Sequence, residues 1–99
     1  MNDNKQTNEA ASILVNRLSQ AGYNFYIDSK QAIIEVDISS SRIVSIELPI
    51  EELIVEGIPQ GMGETKAFDW NGECIASHTS PALAFRNFHK WATQQAAWT

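Results

Sequence analysis

Residues 64–98 decide the fold of this chain, and they read ETKAFDWNGECIASHTSPALAFRNFHKWATQQAAW. An aromatic run is followed by Asn71-Gly72, which predicts a two-residue type I′ hairpin turn because both residues tolerate positive φ. Further along, Ser80-Pro81 predicts the N-cap and the first position of a helix. The stretch therefore indicates a β-hairpin that leads into an amphipathic helix.

The predicted turn also determines which side chains the hairpin buries. A two-residue turn pairs Phe68 with Ile75, and Trp70 then shares their face, which we expect to pack in the core. The opposite face is small and polar, and we expect it to be exposed or thinly covered. Its members are Ala67, Asp69, Cys74, Ala76 and His78. The buried stripe of the helix that follows is predicted at Ala84, Phe85, Phe88, Trp91 and Ala92.

The first half of the chain predicts another helix and three strands. Apolar residues recur at helical spacing from Thr7 or Asn8 to Ala21, and Gly22 suits the left-handed position that follows a helix. Three segments alternate between apolar and polar side chains, as half-buried strands do. They are residues 23–28, 32–38 and 42–48.

Residues 49–63 do not predict one structure. Pro49 suits the first turn of a short helix, whereas residues 53–55 would also serve as an edge strand. Residues 57–63 contain three glycines and one proline, so we expect a loop there.

The order of these elements predicts one α+β domain at residues 7–99, preceded by a flexible N-terminus at residues 1–6. We expect an antiparallel sheet of about four to five strands, flanked by an N-terminal and a C-terminal helix. The helices pack either on one face of the sheet or on opposite faces.

Composition excludes several function classes. The formal charge of −5 repels phosphate backbones, so we expect no direct contact with nucleic acid. A single cysteine, Cys74, excludes an internal disulfide. No run is apolar enough for a membrane span or a signal peptide, so the sequence predicts no membrane association and a cytoplasmic protein.

The end-to-end pattern resembles the small phage ABA-sandwich domains. Those domains begin with an amphipathic helix that ends in glycine and an aromatic residue, as at Gly22-Tyr23. They end with an aromatic strand, a small turn and an alanine-rich helix introduced by serine or threonine with proline, as at residues 68–86. Residues 49–63 depart from the pattern. The resemblance implies a phage or mobile-element origin and, by class analogy, an inhibitor of host defence complexes of the anti-CRISPR kind; it carries no functional residues.

An acidic segment is the candidate partner-binding site. Between Ile43 and Thr65 the chain has five glutamates and no lysine or arginine; Glu35 and Asp37 extend this acidic surface. Apolar residues lie among the acids, and such a mixture is typical of a protein interface that attracts a basic partner. The alternative is an ordinary soluble surface, in which the apolar residues cover the small core as a lid. The predicted partner-binding residues are Glu47, Glu51, Glu52, Glu56, Glu64, Ile54 and Trp98.

Catalytic and metal chemistry have weaker support. Cys74 and His78 lie four residues apart, which along a strand is about 13 Å, whereas a nucleophile and its base need about 3 Å. Zinc coordination by Cys74, His78 and His89 lacks the usual close ligand pairs. We therefore expect no enzyme activity, no metal and no cofactor.

The sequence predicts a non-catalytic protein–protein interaction domain. Its expected partner is the basic protein surface of a nucleic-acid-handling complex, and the function is that of a phage-encoded inhibitor. One alternative is a small ligand-binding domain or enzyme that uses the face of Asp69, Cys74 and His78. The other is a structural subunit that forms a homodimer through Trp98 and the last helix.

Overall fold

The computed structural model describes residues 5–39, 42–49, 54–55, 58–59 and 63–96. These residues form helix α1 (Lys5–Ala21) at the start and helix α2 (Pro81–Ala96) at the end, with seven strands between them. The strands are β1 (Asn24–Asp28), β2 (Ile33–Ser39), β3 (Arg42–Glu47), β4 (Ile54–Val55), β5 (Ile58–Pro59), β6 (Thr65–Phe68) and β7 (Cys74–His78).

Five of the strands form one antiparallel sheet in the order β1-β2-β3-β6-β7, and β4 pairs with β5 in a separate two-stranded ladder. The protein is therefore an α+β domain with the predicted succession of helix, strands and helix. The register aligns Ile34, Ile46, Ala67 and Ala76 in one row across four strands.

Both helices pack on the same face of this sheet. One core cluster contains Leu14 and Leu18 of α1, Phe88 of α2, and the sheet residues Ile34 and Ile46, each at most 1% exposed. This arrangement decides between the two placements that the sequence left open. The predicted stripe of α2 is confirmed, since Ala84, Phe88 and Ala92 are buried while Phe85 and Trp91 pack partly buried against the core.

The helix ends follow the sequence signals. Gly22 has a φ of 83°, and the amide of Tyr23 donates to the carbonyl of Leu18 over 3.1 Å, which closes the last turn of α1. The Oγ of Ser80 accepts from the amide of Leu83 at 3.4 Å, so Ser80 is the N-cap of α2. Helix α1 begins at Lys5, inside the segment predicted to be flexible, and residues 1–4 lie outside the described residues.

The prediction for the β6–β7 hairpin is wrong in both turn type and register. Of the two turn residues only Gly72 has positive φ, at 81°, whereas a type I′ turn needs it at Asn71 as well. The carboxylate Oδ1 of Asp69 accepts from the amides of Asn71 and Glu73, each at 2.9 Å. This side chain stabilises a longer turn with glycine at its left-handed position.

The longer turn changes the pairing of the two strands. Phe68 pairs with Cys74, and Ala67 pairs with Ala76, so Ile75 is an extra residue in a β-bulge. Ala67 and Ala76 are therefore in the core, at 3% and 7% exposure, although the sequence predicted them on the exposed side. A small side chain is required there because α2 packs directly over these strands.

The segment from Pro49 to Gly63 is described only in part. Pro49 is fully buried, and its carbonyl accepts a hydrogen bond from the hydroxyl of Thr7 in α1. Ile54–Val55 is a strand, as one of the two alternatives allowed, but it lies in the separate ladder and not at the edge of the five-stranded sheet. The loop prediction is wrong at Ile58–Pro59, which pairs with this strand. The predicted short helix through residue 53 lies outside the described residues.

Candidate protein-binding site

The sheet has one face that neither helix covers. Side chains alternate between the two faces of a strand, so Glu35 and Asp37 point away from the core that holds Ile34 and Val36, and both acids are exposed. We call this surface the open face. Its side chains come from all five strands of the sheet: Asn24, Tyr26, Asp28, Ile33, Glu35, Asp37, Ile43, Ser45, Glu47, Lys66, Phe68, Cys74 and Ser77.

The open face is acidic. It has four carboxylates on three adjacent strands, and Lys66 is the one basic side chain among its described residues. The cross-strand neighbours of Glu35 are Tyr26 and Ser45, and neither is basic. Asp37 likewise lies between uncharged residues. Only Glu47 has a cation opposite it, Lys66 on β6.

Apolar side chains lie between these acids. Tyr26 is 67% exposed and Ile43 is 46% exposed, so both are accessible in the isolated chain. Two shallow concavities follow the face, and Glu35 and Ile43 line both of them. The first extends over β1 and includes Tyr26 and Asp37. The second extends towards β6 and contains Ile33, Glu47, Phe68 and Trp70.

Trp70 lies at the rim of the second concavity and is 38% exposed. Its ring contacts the ring of Trp91 with a centroid distance of 5.8 Å. The guanidinium carbon of Arg42 lies 5.1 Å from the centre of the Trp70 ring, within range of a cation–π interaction. Arg42 therefore has an aromatic partner at the rim of the face.

The residues predicted from sequence fall partly on this site. Glu47 lies on the open face at the end of β3, and Glu64 is exposed immediately before β6. Ile54 is in β4, away from the five-stranded sheet in the strand order. Four predicted residues lie outside the described part of the chain: Glu51, Glu52, Glu56 and Trp98.

Sequence reasoning missed the apolar half of the site. Phe68 was expected in the core because the Asn-Gly dipeptide predicted the wrong register, yet Phe68 lines the open face. Ile43 follows directly from the alternation with Val44, which is fully buried, and that signal was present in the sequence.

The alternative site of Asp69, Cys74 and His78 does not form one surface. The bulge at Ile75 places Cys74 beside Phe68 on the open face, whereas His78 pairs with Thr65, which is fully buried on the core side. The Nδ1 of His78 accepts from the amide of Ser80 at 2.9 Å. The carboxylate of Asp69 is engaged by the turn.

A polar cluster at the C-terminal end of α1 is structural in character. The hydroxyl of Tyr23 lies 2.7 Å from Nδ1 of His89, and the ring of Phe85 stacks on His89 with an interplanar angle of 10°. Burial raises the pKa of Tyr23 above its ordinary value of 10.0. Among the described residues no three histidine, cysteine or acidic side chains come together as metal ligands would.

In comparisons with known proteins, no family model, no curated protein and no solved structure gave a significant match to the chain. Within the described part of the chain, neither helix is long and apolar enough to cross a membrane. The open face, through its geometry and charge, is the feature of the fold that bears on function.

Proposed function

We propose that the protein is a non-catalytic interaction domain that binds a basic protein surface on its open face. The observation that carries this proposal is the position of Glu35 and Asp37. Both carboxylates are exposed on β2, an interior strand of the five-stranded sheet, and no ion pair neutralises them within the described residues. Unpaired surface acids of this kind attract and orient a partner of opposite charge.

The apolar neighbours of these acids specify the chemistry of the partner. A lysine or arginine side chain lays its alkyl stem on an apolar surface while its charged end reaches a carboxylate. Ile43 and Tyr26 offer that surface beside Glu35 and Asp37 in the first concavity. The Tyr26 ring also suits the face of an arginine guanidinium. An arginine-rich or lysine-rich protein segment is therefore the partner that fits this face.

A more specific proposal, which we call the finer proposal, concerns the biological identity of the basic partner. Carboxylates arranged on a rigid sheet can occupy sites that otherwise bind phosphates, so the basic partner is inferred to be part of a nucleic-acid-handling complex. The resemblance to small phage domains supports an inhibitor of such a complex, of the anti-CRISPR kind. We place this encounter in the cytoplasm. The glutamates at positions 51, 52 and 56, together with Ile54 and Trp98, stay predicted contacts.

The test compares two double charge reversals of equal net charge. Glu35→Lys with Asp37→Lys changes the open face, while Glu9→Lys with Glu73→Lys changes exposed acids on α1 and in the hairpin turn. Each protein serves as bait for a lysate of the source organism or its host, with washes at low salt and at about 0.5 M salt. We expect the open-face variant to lose the basic partner by at least about tenfold, or 1.4 kcal/mol, and the control to retain it.

Two outcomes would contradict the proposal. Equal loss in both variants would mean that only net charge attracts the partner, and equal retention would mean that the open face does not bind it. The finer proposal has a separate test, in which the captured partner is loaded with its nucleic acid and titrated with this protein. Release of the nucleic acid supports inhibition by competition, and a stable ternary complex refutes it.

A further inference from the structure

We propose that strand β1 pairs antiparallel with β1 of a second copy of the chain, so that two five-stranded sheets join into one of ten strands. β1 is the outermost strand of the sheet, with β2 on one side and no described strand on the other. An unpaired edge strand presents free backbone donors and acceptors and is a template for another strand. This inference does not depend on the function proposed above.

The sheet register shows which backbone groups of β1 are free. The amide of Leu48 donates to the carbonyl of Ala32 over 2.8 Å, which continues the pairing of Ile34 with Ile46. The backbone amides and carbonyls of even-numbered residues of β2 therefore hydrogen-bond to β3, and those of odd-numbered residues hydrogen-bond to β1, because the direction of these groups alternates along an antiparallel strand.

The same alternation continues across β1. Asn24, Tyr26 and Asp28 are the partners of the odd-numbered residues of β2, so their amides and carbonyls face β2. The amides and carbonyls of Phe25 and Ile27 face the opposite way, towards the free edge. The edge therefore offers two donors and two acceptors at the spacing that another antiparallel strand requires.

Within the described part of the chain, β1 lacks several of the features by which edge strands normally block pairing. β1 reads NFYID, with no lysine, no proline and no bulge in its pairing with β2. Tyr26 and Ile27 are 67% and 41% exposed, which is a large apolar exposure for a strand of five residues. The opposite edge differs, because the extra residue Ile75 bends β7.

The sequence of β1 is self-complementary when it is paired about Tyr26. In that register Phe25 lies opposite Ile27 of the second copy, and each such pair exchanges both of its backbone hydrogen bonds. Asn24 lies opposite Asp28 of the second copy, where an amide can donate to a carboxylate. A register centred on Asp28 would instead place two carboxylates opposite each other, which is destabilising.

A two-fold axis at Tyr26 keeps both open faces on the same side of the joined sheet, because it is perpendicular to that sheet. The dimer would thus present the acidic surface twice. Each chain carries a charge of −5, so the two copies repel at low ionic strength. Dimerisation should therefore strengthen with added salt, whereas binding of a basic partner should weaken.

The first experiment is sedimentation equilibrium of the natural chain over a range of concentrations and at two salt concentrations. We expect a reversible doubling of mass that is favoured by salt. Tyr26→Lys should abolish it by placing two lysines at the axis, and Leu83→Lys, at an exposed position of α2, should leave it unchanged. A monomer at every concentration, or a dimer that Tyr26→Lys does not weaken, would overturn the proposal.

Disulfide trapping tests the register itself. In a Cys74→Ser background, Tyr26→Cys places two thiols at the axis, where directly opposed strand residues are close enough for a disulfide. Asn24→Cys is the matched control on the same exposed face, because its two copies would lie about 13 Å apart along the strands. We expect a covalent dimer from the first variant only, and equal trapping from both would refute this register. Glu35→Lys with Asp37→Lys should keep the dimer, so the two proposals fail independently.

Discussion

Introducing one carboxylate at either of two adjacent positions of β6 tests which face of the hairpin is in the core. Ala67 is 3% exposed beneath α2, and Phe68 is half-buried on the open face. The pattern of the sequence predicted the reverse, with Phe68 in the core and Ala67 on the exposed face. Ala67→Asp and Phe68→Asp introduce the same side chain with the same strand propensity, so the two variants differ in the face that receives the carboxylate and in the side chain that is lost.

The expected cost at position 67 is large. A fully buried carboxyl group has a pKa raised by up to 3–5 units. At pH 7 this corresponds to about 4 kcal/mol, because a carboxyl group whose pKa has risen past 7 is protonated and a larger shift adds no further cost. Fitting the larger side chain between the sheet and α2 adds about 1–3 kcal/mol. The total stability of a domain of this kind is about 5–15 kcal/mol. Ala67→Asp should therefore be unfolded or close to it at neutral pH.

The expected cost at position 68 is small by comparison. Phe68→Asp loses the burial of one half-exposed aromatic ring, at most about 1.5–3 kcal/mol, and its carboxylate remains in water. The two variants should differ in unfolding free energy by at least about 2 kcal/mol, which is the gap between these ranges.

Urea unfolding followed by circular dichroism and tryptophan fluorescence measures both values. Ala67→Asp should regain stability as the pH falls towards the ordinary pKa of an aspartate, because the unfolded chain then no longer gains from ionising this group. If Phe68→Asp were the more destabilised variant, the hairpin would have the register that the Asn-Gly dipeptide suggested. The β-bulge at Ile75 would then be wrong, together with the assignment of Phe68 to the open face.

Three further predictions concern individual contacts. Tyr23→Phe removes the hydroxyl that bonds to Nδ1 of His89 and should cost about 0.5–1.5 kcal/mol at neutral pH in urea unfolding. Burial raises the pKa of Tyr23 in the fold, so the unfolded chain loses this proton first and the free energy of unfolding falls as the pH rises past 10.0. The stability advantage of the natural chain over Tyr23→Phe should therefore shrink above that pH. An unchanged difference up to strongly alkaline pH would contradict the burial of this hydroxyl. Asp69→Ala removes an acceptor of two amide hydrogen bonds and should cost about 1–2 kcal/mol after allowance for partial exposure. Asp69→Asn keeps an acceptor oxygen and should lower the midpoint of thermal unfolding less. Equal midpoints for the two variants would show that the Asp69 side chain does not stabilise the turn. Gly72→Ala should cost about 1 kcal/mol in chemical unfolding, because an added methyl group meets no atom within 4 Å and the penalty is that of the left-handed backbone alone. Gly72→Asn should cost less, because asparagine tolerates that conformation. If Gly72→Ala did not change the stability, a positive φ at this position would be contradicted.

The identities and order of the main elements were determined by local sequence. The stripe of Leu14 and Leu18, the glycine at position 22 and the Ser80-Pro81 start of α2 specify two helices through periodicity and capping, which depend only on residues close in sequence. The alternation around Val36 and Val44 specifies two strands in the same way, and it correctly placed Glu35 and Asp37 in solvent.

Properties that depend on contacts between distant residues were decided only by the tertiary structure. The turn signal of Asn71-Gly72 is local, yet another register was selected by the carboxylate of Asp69 and by the packing of α2 over Ala67 and Ala76. A slip of one residue in the pairing exchanges the two faces of a strand. The placement of both helices on one face is of the same kind, because periodicity shows that a helix has an apolar side but not which surface it covers. That placement leaves the opposite face of the sheet without a covering helix, and this face brings together acids and apolar side chains that are far apart in sequence.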